Sequence, residues 1–248
     1  MKNKIIIFFT TICFVLFFSC NNTNNCLKKL GVKKTVKENL HGFYNLNLNS
    51  CFDVILVDSS AYAIKIESYE NIIPLIEREV NHGVLNLKNT YSCTWLKKED
   101  LPKITIYAPR IDTVYVNEPC DIRSEKKLSY DKFIMKISAK IFTCDLFLDC
   151  SFLWFQAMAT TGTYNLQGKA DWALISNAGQ GNLNAENLNC RILDFCHLSE
   201  GYSKISAYEE LNISTIKYGK VDLITAQCPI INFQNEKDKK LFFTNSCF

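Results

Sequence analysis

Apolar and polar residues alternate along most of this chain. Phe43, Leu46 and Leu48 open the pattern, Phe52, Val54 and Leu56 continue it, and Ala63-Ile64-Lys65-Ile66-Glu67 repeats it. A two-residue period rich in β-branched and aromatic side chains predicts half-buried strands. Between Glu77 and Leu87 the tripeptide Asn81-His82-Gly83 separates two such runs, which predicts a hairpin whose turn uses the tolerance of Asn and Gly for positive φ. Asn71 to Ile76 predicts a helical turn kept short by Pro74. Lys103 to Tyr107 and Asp112 to Val116 are two further strands around Pro109. No long helix is expected after the N-terminal segment.

In the second half a phrase returns four times: Gly162-x-Tyr164-x-Leu166, Gly181-x-Leu183-x-Ala185, Gly201-x-Ser203-x-Ile205 and Gly219-x-Val221-x-Leu223, with steps of 19, 20 and 18 residues. Eight residues before each glycine stand Trp154, Ala173, Leu193 and Leu211, and three before stand Ala159, Ala178, Leu198 and Ile216. The column six before holds Gln156, Ile175, Phe195 and Ile213, with Gln156 its one polar member. Self-similarity at about 20 residues marks stacked coils, none of which can bury its apolar face alone. Stepping back from Gly162 reaches Phe142 and then Ile122, so roughly six coils of two short strands are expected from about residue 120. The expected fold is all-β: a right-handed parallel β-helix or solenoid-like stack of about 20-residue coils, preceded by antiparallel hairpins. The glycines are expected at corners where φ is positive. The charged run from Asn235 to Lys240 is expected to cap the last coil.

The N-terminus breaks the alternation. Residues 1–19 carry Lys2 and Lys4, then an apolar run from Ile5 to Phe18, short for a membrane span, which reads as a secretory signal. Ser19-Cys20 at its end is similar to a bacterial lipobox, with Phe17 where Leu is usual. Cys20 is thus the candidate lipidation residue, and an ordinary signal peptide is the alternative. Asn21 to Asn25 would begin a polar tether over residues 20–39, with the β domain over 40–230 and a cap or tail over 231–248. This predicts an exported, membrane-anchored envelope protein, held at the outer membrane by its lipid.

Charge narrows the partners. With 28 basic and 25 acidic residues, and two of the lysines in the leader, no basic stripe supports nucleic-acid binding. Ten of the 12 cysteines lie beyond Cys13 and Cys20, and an exported chain invites disulfides. Several stand where the repeat places core residues, so buried free thiols are equally open. No Cys-x-x-Cys occurs, and neither a metal nor a cofactor is expected. Trp95, beside Lys97 and Lys98, reads either as a contact residue or as a side chain folded over a core edge.

Phe43, the strand around Val54, Ile76 to Leu87 with its EVNHGVLNL hairpin, the LPKITIYAPRIDTVYV segment from Leu101 to Val116, and the glycine-led coils together carry a resemblance. Over about residues 40–230 the chain resembles a bacterial exported family frequent in Bacteroidetes, the putative auto-transporter adhesin, head GIN domain. Its members often carry Gly-Ser-Gly at corners, whereas this chain mostly has single glycines and more Cys and Phe. The resemblance implies a β-helix-like fold and a place in the envelope, and it supplies no catalytic motif.

Candidate chemistry is sparse. His41, His82 and His197 form no metal pair and no nucleophile elbow. His197 adjoins Cys196, but neighbours on a strand point to opposite faces. Polysaccharide lyases and glycosidases on β-helices are the enzyme alternative, and they need carboxylates converging across neighbouring coils. Asp171 and Glu209 share a register two coils apart, while Asp194 and Glu210 fall elsewhere, so no dyad is expected. A binding or structural module is the expected function, with a protein or glycan as ligand.

Overall fold

The computed structural model describes residues 30–91, 100–244 and 247. The leader, Cys20, the start of the tether, Cys26, Cys93 and Trp95 lie outside the described residues. Strands dominate, and the helical turns are 3-10 segments such as Ile73–Leu75, which holds Pro74 as the sequence predicts.

The solenoid has about seven turns. One face stacks β2 (Asn45–Leu48), β8 (Thr113–Val116), the end of β10 (Leu128–Ile137), and the second halves of β11 (Phe142–Thr160), β12 (Thr163–Gly179) and β13 (Asn182–Ser199). It continues through β15 (Ala207–Ile216) to β17 (Ile230–Phe233). A second face stacks β3 (Phe52–Asp58), β9 (Cys120–Ser124), the first halves of β11 to β13, then β14 (Tyr202–Ile205), β16 (Lys220–Leu223) and β18 (Phe242–Thr244). All these neighbours are parallel. The long strands β11, β12 and β13 therefore serve both faces, turning from one to the other at Ser151, Asp171 and Arg191, where the pairing is interrupted.

The glycine ruler finds coils from about residue 120, yet parallel stacking reaches back to Asn45. The order is not sequential. β6 (Val84–Asn89) lies on the far side of β2 from β8, and β7 (Lys103–Ala108) on the far side of β3 from β9. A later segment thus slides beneath the first coil. Antiparallel strands then close that end: β5 (Ile76–Asn81) pairs with β6, β4 (Ala63–Tyr69) with β7, and β1 (Lys33–Asn39) with β4. The β5–β6 turn uses positive φ at His82 and Gly83 and leaves Asn81 in the strand. β1 presents Lys33, Lys34 and Lys37 at the edge, which discourages pairing with other chains. Arg78 of β5 grips Glu38 of β1 with both ends of its guanidinium, Nε standing 2.7 Å from Oε2. That cation is the main reason the Glu38 carboxyl sits below the usual range.

At the other end the 3-10 turn Glu236–Leu241 joins β17 to β18 and packs against both and against β15, so the charged run forms a corner of the last coil. Asp238 is buried there and accepts the backbone N–H of Ile216 at 2.8 Å. A disulfide between Cys228 and Cys247 ties the chain before β17 to the chain after β18.

Inside, equivalent residues form ladders. Leu153, Ala173, Leu193, Leu211 and Ile231 lie in register, as do Phe155, Ile175, Phe195, Ile213 and Phe233. Counting back from Gly162 places Trp154 and Gln156 in these columns, one residue off. The cause is a bulge between Ala157 and Thr160, with Ala159 at φ 53°, which adds a residue before that glycine. A one-residue slip exchanges the faces of a strand, so Phe155 is the buried member and the Gln156 exception disappears.

Glycine at the corners has two causes. Gly162 and Gly219 have φ of 142° and 61°, as the corner argument requires. Gly181 and Gly201 do not have positive φ; there a Cβ would collide with the neighbouring coil, with Tyr164 and with the Gly181 carbonyl respectively. Cys120, Cys144, Cys150 and Cys190 are buried free thiols within the columns, Cys150 and Cys190 flanking Ala170 in one of them. They fill core positions as small hydrophobes.

Candidate functional site

The outward positions between the core columns carry the chemistry. On the first face one outward column reads Ile134, Trp154, Leu174, Asp194, Asn212 and Asn232 from coil to coil. Beside it runs Lys132, Phe152, Trp172, Ile192, Glu210 and Ile230. Phe152 and Trp172 meet edge to face with centroids 5.3 Å apart, and Trp172 keeps 48% of its surface exposed. Its indole N–H donates to Asp194 Oδ2 at 2.6 Å, and Asn212 Nδ2 donates to Asp194 Oδ1 at 3.0 Å. Asn232 Nδ2 extends the chain to Asn212 Oδ1 at 2.9 Å. Lys136 Nζ stands 4.3 Å from the Trp154 ring centroid. The face is thus aromatic over β11 and β12 and carries amides over β15 and β17.

A groove follows the bend next to this face, with a cavity of about 500 Å³. Tyr130, Cys150 and Ala170 form its floor, in register on successive coils. Asp149 and Lys169 line one side, Asp131, Ser151 and Asp171 the other, and Asn189 and Tyr208 its far end. Asp149 Oδ2 is 2.8 Å from Lys127 Nζ, and Oδ1 is 3.2 Å from Lys169 Nζ. Lys127 foremost pulls the Asp149 carboxyl below the usual range, against desolvation by burial and with help from Lys169.

The carboxylates singled out from sequence do not converge. Arg191 sits between Asp171 and Glu209, with Nε 3.9 Å from the former and Nη1 3.3 Å from the latter, so the shared register is bridged by a cation. Asp194 is tied to Trp172 and Asn212, and Glu210 accepts from Asn232 at 3.2 Å. A glycosidase-type acid needs its pKa raised, and the Asp149 shift runs the other way.

His41 and His82 are exposed at the strand entry and hairpin tip. His197 and Cys196 point to opposite faces as expected, and His197 is fully buried. Its Nδ1 lies 2.9 Å from Ser203 Oγ, which also accepts from Asn177 Nδ2 at 3.1 Å. Asn177 and Ser199 both donate to the Gly181 carbonyl, at 3.0 and 2.7 Å. The cluster braces a corner and is sealed from solvent. Burial pushes the His197 imidazole below its ordinary range, against a weaker upward pull from neighbouring backbone.

The family model described as putative auto-transporter adhesin, head GIN domain, matches residues 42–225. The chain belongs to this family. Its fold is similar to that of a putative adhesin from Bacteroides fragilis NCTC 9343, with TM-score 0.71 and 21% identity, covering 82% of this chain and 93% of the other. A putative adhesin from Parabacteroides distasonis ATCC 8503 aligns with TM-score 0.55 and 12% identity over 83% and 95%. One from Parabacteroides merdae ATCC 43184 gives 0.53 and 14% over 86% and 95%. At these identities the likeness is one of fold. No curated protein matches the sequence. For a head GIN domain the groove and the aromatic stripe are the surfaces that sequence reading missed. Their signal was present as residues 20 apart, such as Asp131, Ser151 and Asp171, but those positions follow no glycine.

Proposed function

We propose that this head GIN domain is an adhesin-like binding module of the bacterial cell envelope, exported and held to the outer membrane by lipid on Cys20, with a protein or glycan as its ligand. The observation that carries the binding reading is the outward aromatic stripe of Phe152, Trp154 and Trp172 on a rigid stack, where large apolar rings would otherwise be turned inward. The leader sequence and the family's adhesin description support the address. Two or more acyl chains would hold the domain durably. The polysaccharide lyase or glycosidase alternative finds no favouring observation, because the carboxylates it needs are bridged by Arg191 or clamped by Lys127 and Lys169.

Two measurements test this. Metabolic labelling with a fatty-acid analogue should mark the wild-type chain, and Cys20→Ala should abolish the label and release the protein from membranes; unchanged membrane retention of that variant refutes the anchor. Cells displaying the chain should capture a protein or glycan ligand that cells lacking it do not, and equal capture by both refutes the binding module.

A further inference from the structure

Resting on the binding-module reading, we propose that the groove over Tyr130, Cys150 and Ala170 is a binding site for a neutral glycan chain, lying across the coils with Trp172 and Tyr208 as stacking platforms. Shape comes first. The lining residues belong to five successive strands, from Ser129 through Asp149, Lys169 and Asn189 to Tyr208. Four steps of about 4.8 Å make a trough roughly 19 Å long, the reach of an oligomer rather than of a single small molecule. Small floor residues keep it open: Cys150 and Ala170 stand where bulkier side chains would fill the bend.

Charge then selects the ligand. Asp131, Asp149, Asp171 and Lys169 line the groove, and Lys127 and Arg191 reach in from beside it to pair with Asp149 and Asp171. A polyanion would meet three carboxylates and a polycation three basic groups, whereas a neutral polyol can both donate to the carboxylates and accept from the ammonium groups. Tyr130 supplies the second sign of a ligand. It is only 5% exposed, and its hydroxyl is buried without a hydrogen-bond partner among the described residues, an arrangement that costs free energy until something accepts or donates there.

The rim fits the same chemistry. Trp172 follows Asp171 and Tyr208 closes the far end, 48% and 41% exposed. Such rings offer flat apolar area to the C–H faces of a sugar while neighbouring polar groups take its hydroxyls. A peptide added as a strand would need free backbone N–H and C=O groups. Those of the floor residues Tyr130, Cys150 and Ala170 are taken up by parallel pairing with their neighbours, and at this bend the ladder is interrupted for one residue per coil only, at Asp131, Ser151 and Asp171.

The test uses the full-length chain in mild detergent and three neutral probes, cellohexaose, maltohexaose and an N-acetylglucosamine hexamer, beside an oligogalacturonate of equal length. Tryptophan fluorescence and calorimetry should show saturable binding of at least one neutral probe, with the oligogalacturonate weaker by tenfold or more. Trp172→Ala should lose about tenfold in affinity. Ser151→Trp, which fills the trough from an exposed position, should abolish binding without moving the melting temperature. Binding of no neutral probe at about 10 mM, where even a millimolar site would be saturated, overturns the proposal. So does undiminished binding to Ser151→Trp, or equal binding of the oligogalacturonate. If cells displaying Ser151→Trp capture ligand as well as wild type, the groove assignment falls while the binding module stands. If wild type captures nothing, the module reading itself falls.

Discussion

Replacing Gly162 by alanine isolates what holds the coils at their spacing. Its φ of 142° lies where L-residues are strained, at a cost of about 1–3 kcal/mol. A Cβ there would also run into the Phe142 carbonyl oxygen on the adjacent coil. That backbone has little freedom to retreat, since Phe142 N–H is bonded to the Thr161 carbonyl at 3.0 Å and the Gly162 carbonyl accepts Asn182 N–H at 2.9 Å. Overpacking of this kind adds about 1–3 kcal/mol, for a total of about 2–6 kcal/mol. Gly42 is the control: its φ is not in the left-handed range, and a Cβ would meet only the Tyr62 ring at an ordinary 3.5 Å. Thermal unfolding followed by far-UV circular dichroism should therefore place Gly162→Ala some 5 to 20 °C below wild type, at about 2–4 °C per kcal/mol for a domain this size. Gly42→Ala should fall within about 2 °C. Equal melting temperatures for the two variants would refute the claim that coil contact, rather than chain flexibility, demands this glycine.

Two further outcomes follow from buried titratable groups. Because burial lowers the His197 pKa in the fold, the folded chain binds fewer protons than the unfolded one as pH falls below about 6.5. Its contribution is intact above that pH and lost below it towards the folded value, so His197→Gln should flatten the decline in melting temperature between pH 7 and 5, and an unchanged slope would refute the assignment. Burial foremost raises the thiols of Cys120 and Cys150 to about 12 and pushes those of Cys144 and Cys190 up further. Native iodoacetamide labelling at pH 8 should accordingly spare these four and reach them only in denaturant, as mass spectrometry of the peptides would show; rapid native labelling of any of them would contradict its burial.

Much of this molecule is written in local pattern. The two-residue alternation gives strands wherever Phe43 to Leu56 or Leu211 to Ile213 are read, because the pleat turns neighbouring side chains to opposite sides. The 20-residue beat of the glycines gives stacked coils, because a short coil cannot bury its apolar side without a neighbour. The resemblance to the head GIN family is likewise carried by contiguous stretches. What these patterns lack is cumulative register. A single extra residue before Thr160 moves Trp154 and Gln156 out of the core columns and Leu153 and Phe155 into them, and no local preference announces where that residue is inserted.

Longer range still, tertiary structure alone decided that β6 and β7 slide beneath the first coil. Pairing there depends on the edges that β2 and β3 offer, not on any property of Val84 to Ala108 alone. The same holds for the surfaces. Asp131, Ser151 and Asp171 are only residues 20 apart until stacking lines them along one bend, and Asp171 and Glu209, two coils apart in one register, are joined through the Arg191 between them. Alternation in sequence says which residues of a strand share a face. Which outward residues become neighbours is set by the stack, since contacts between coils join residues some 20 positions apart.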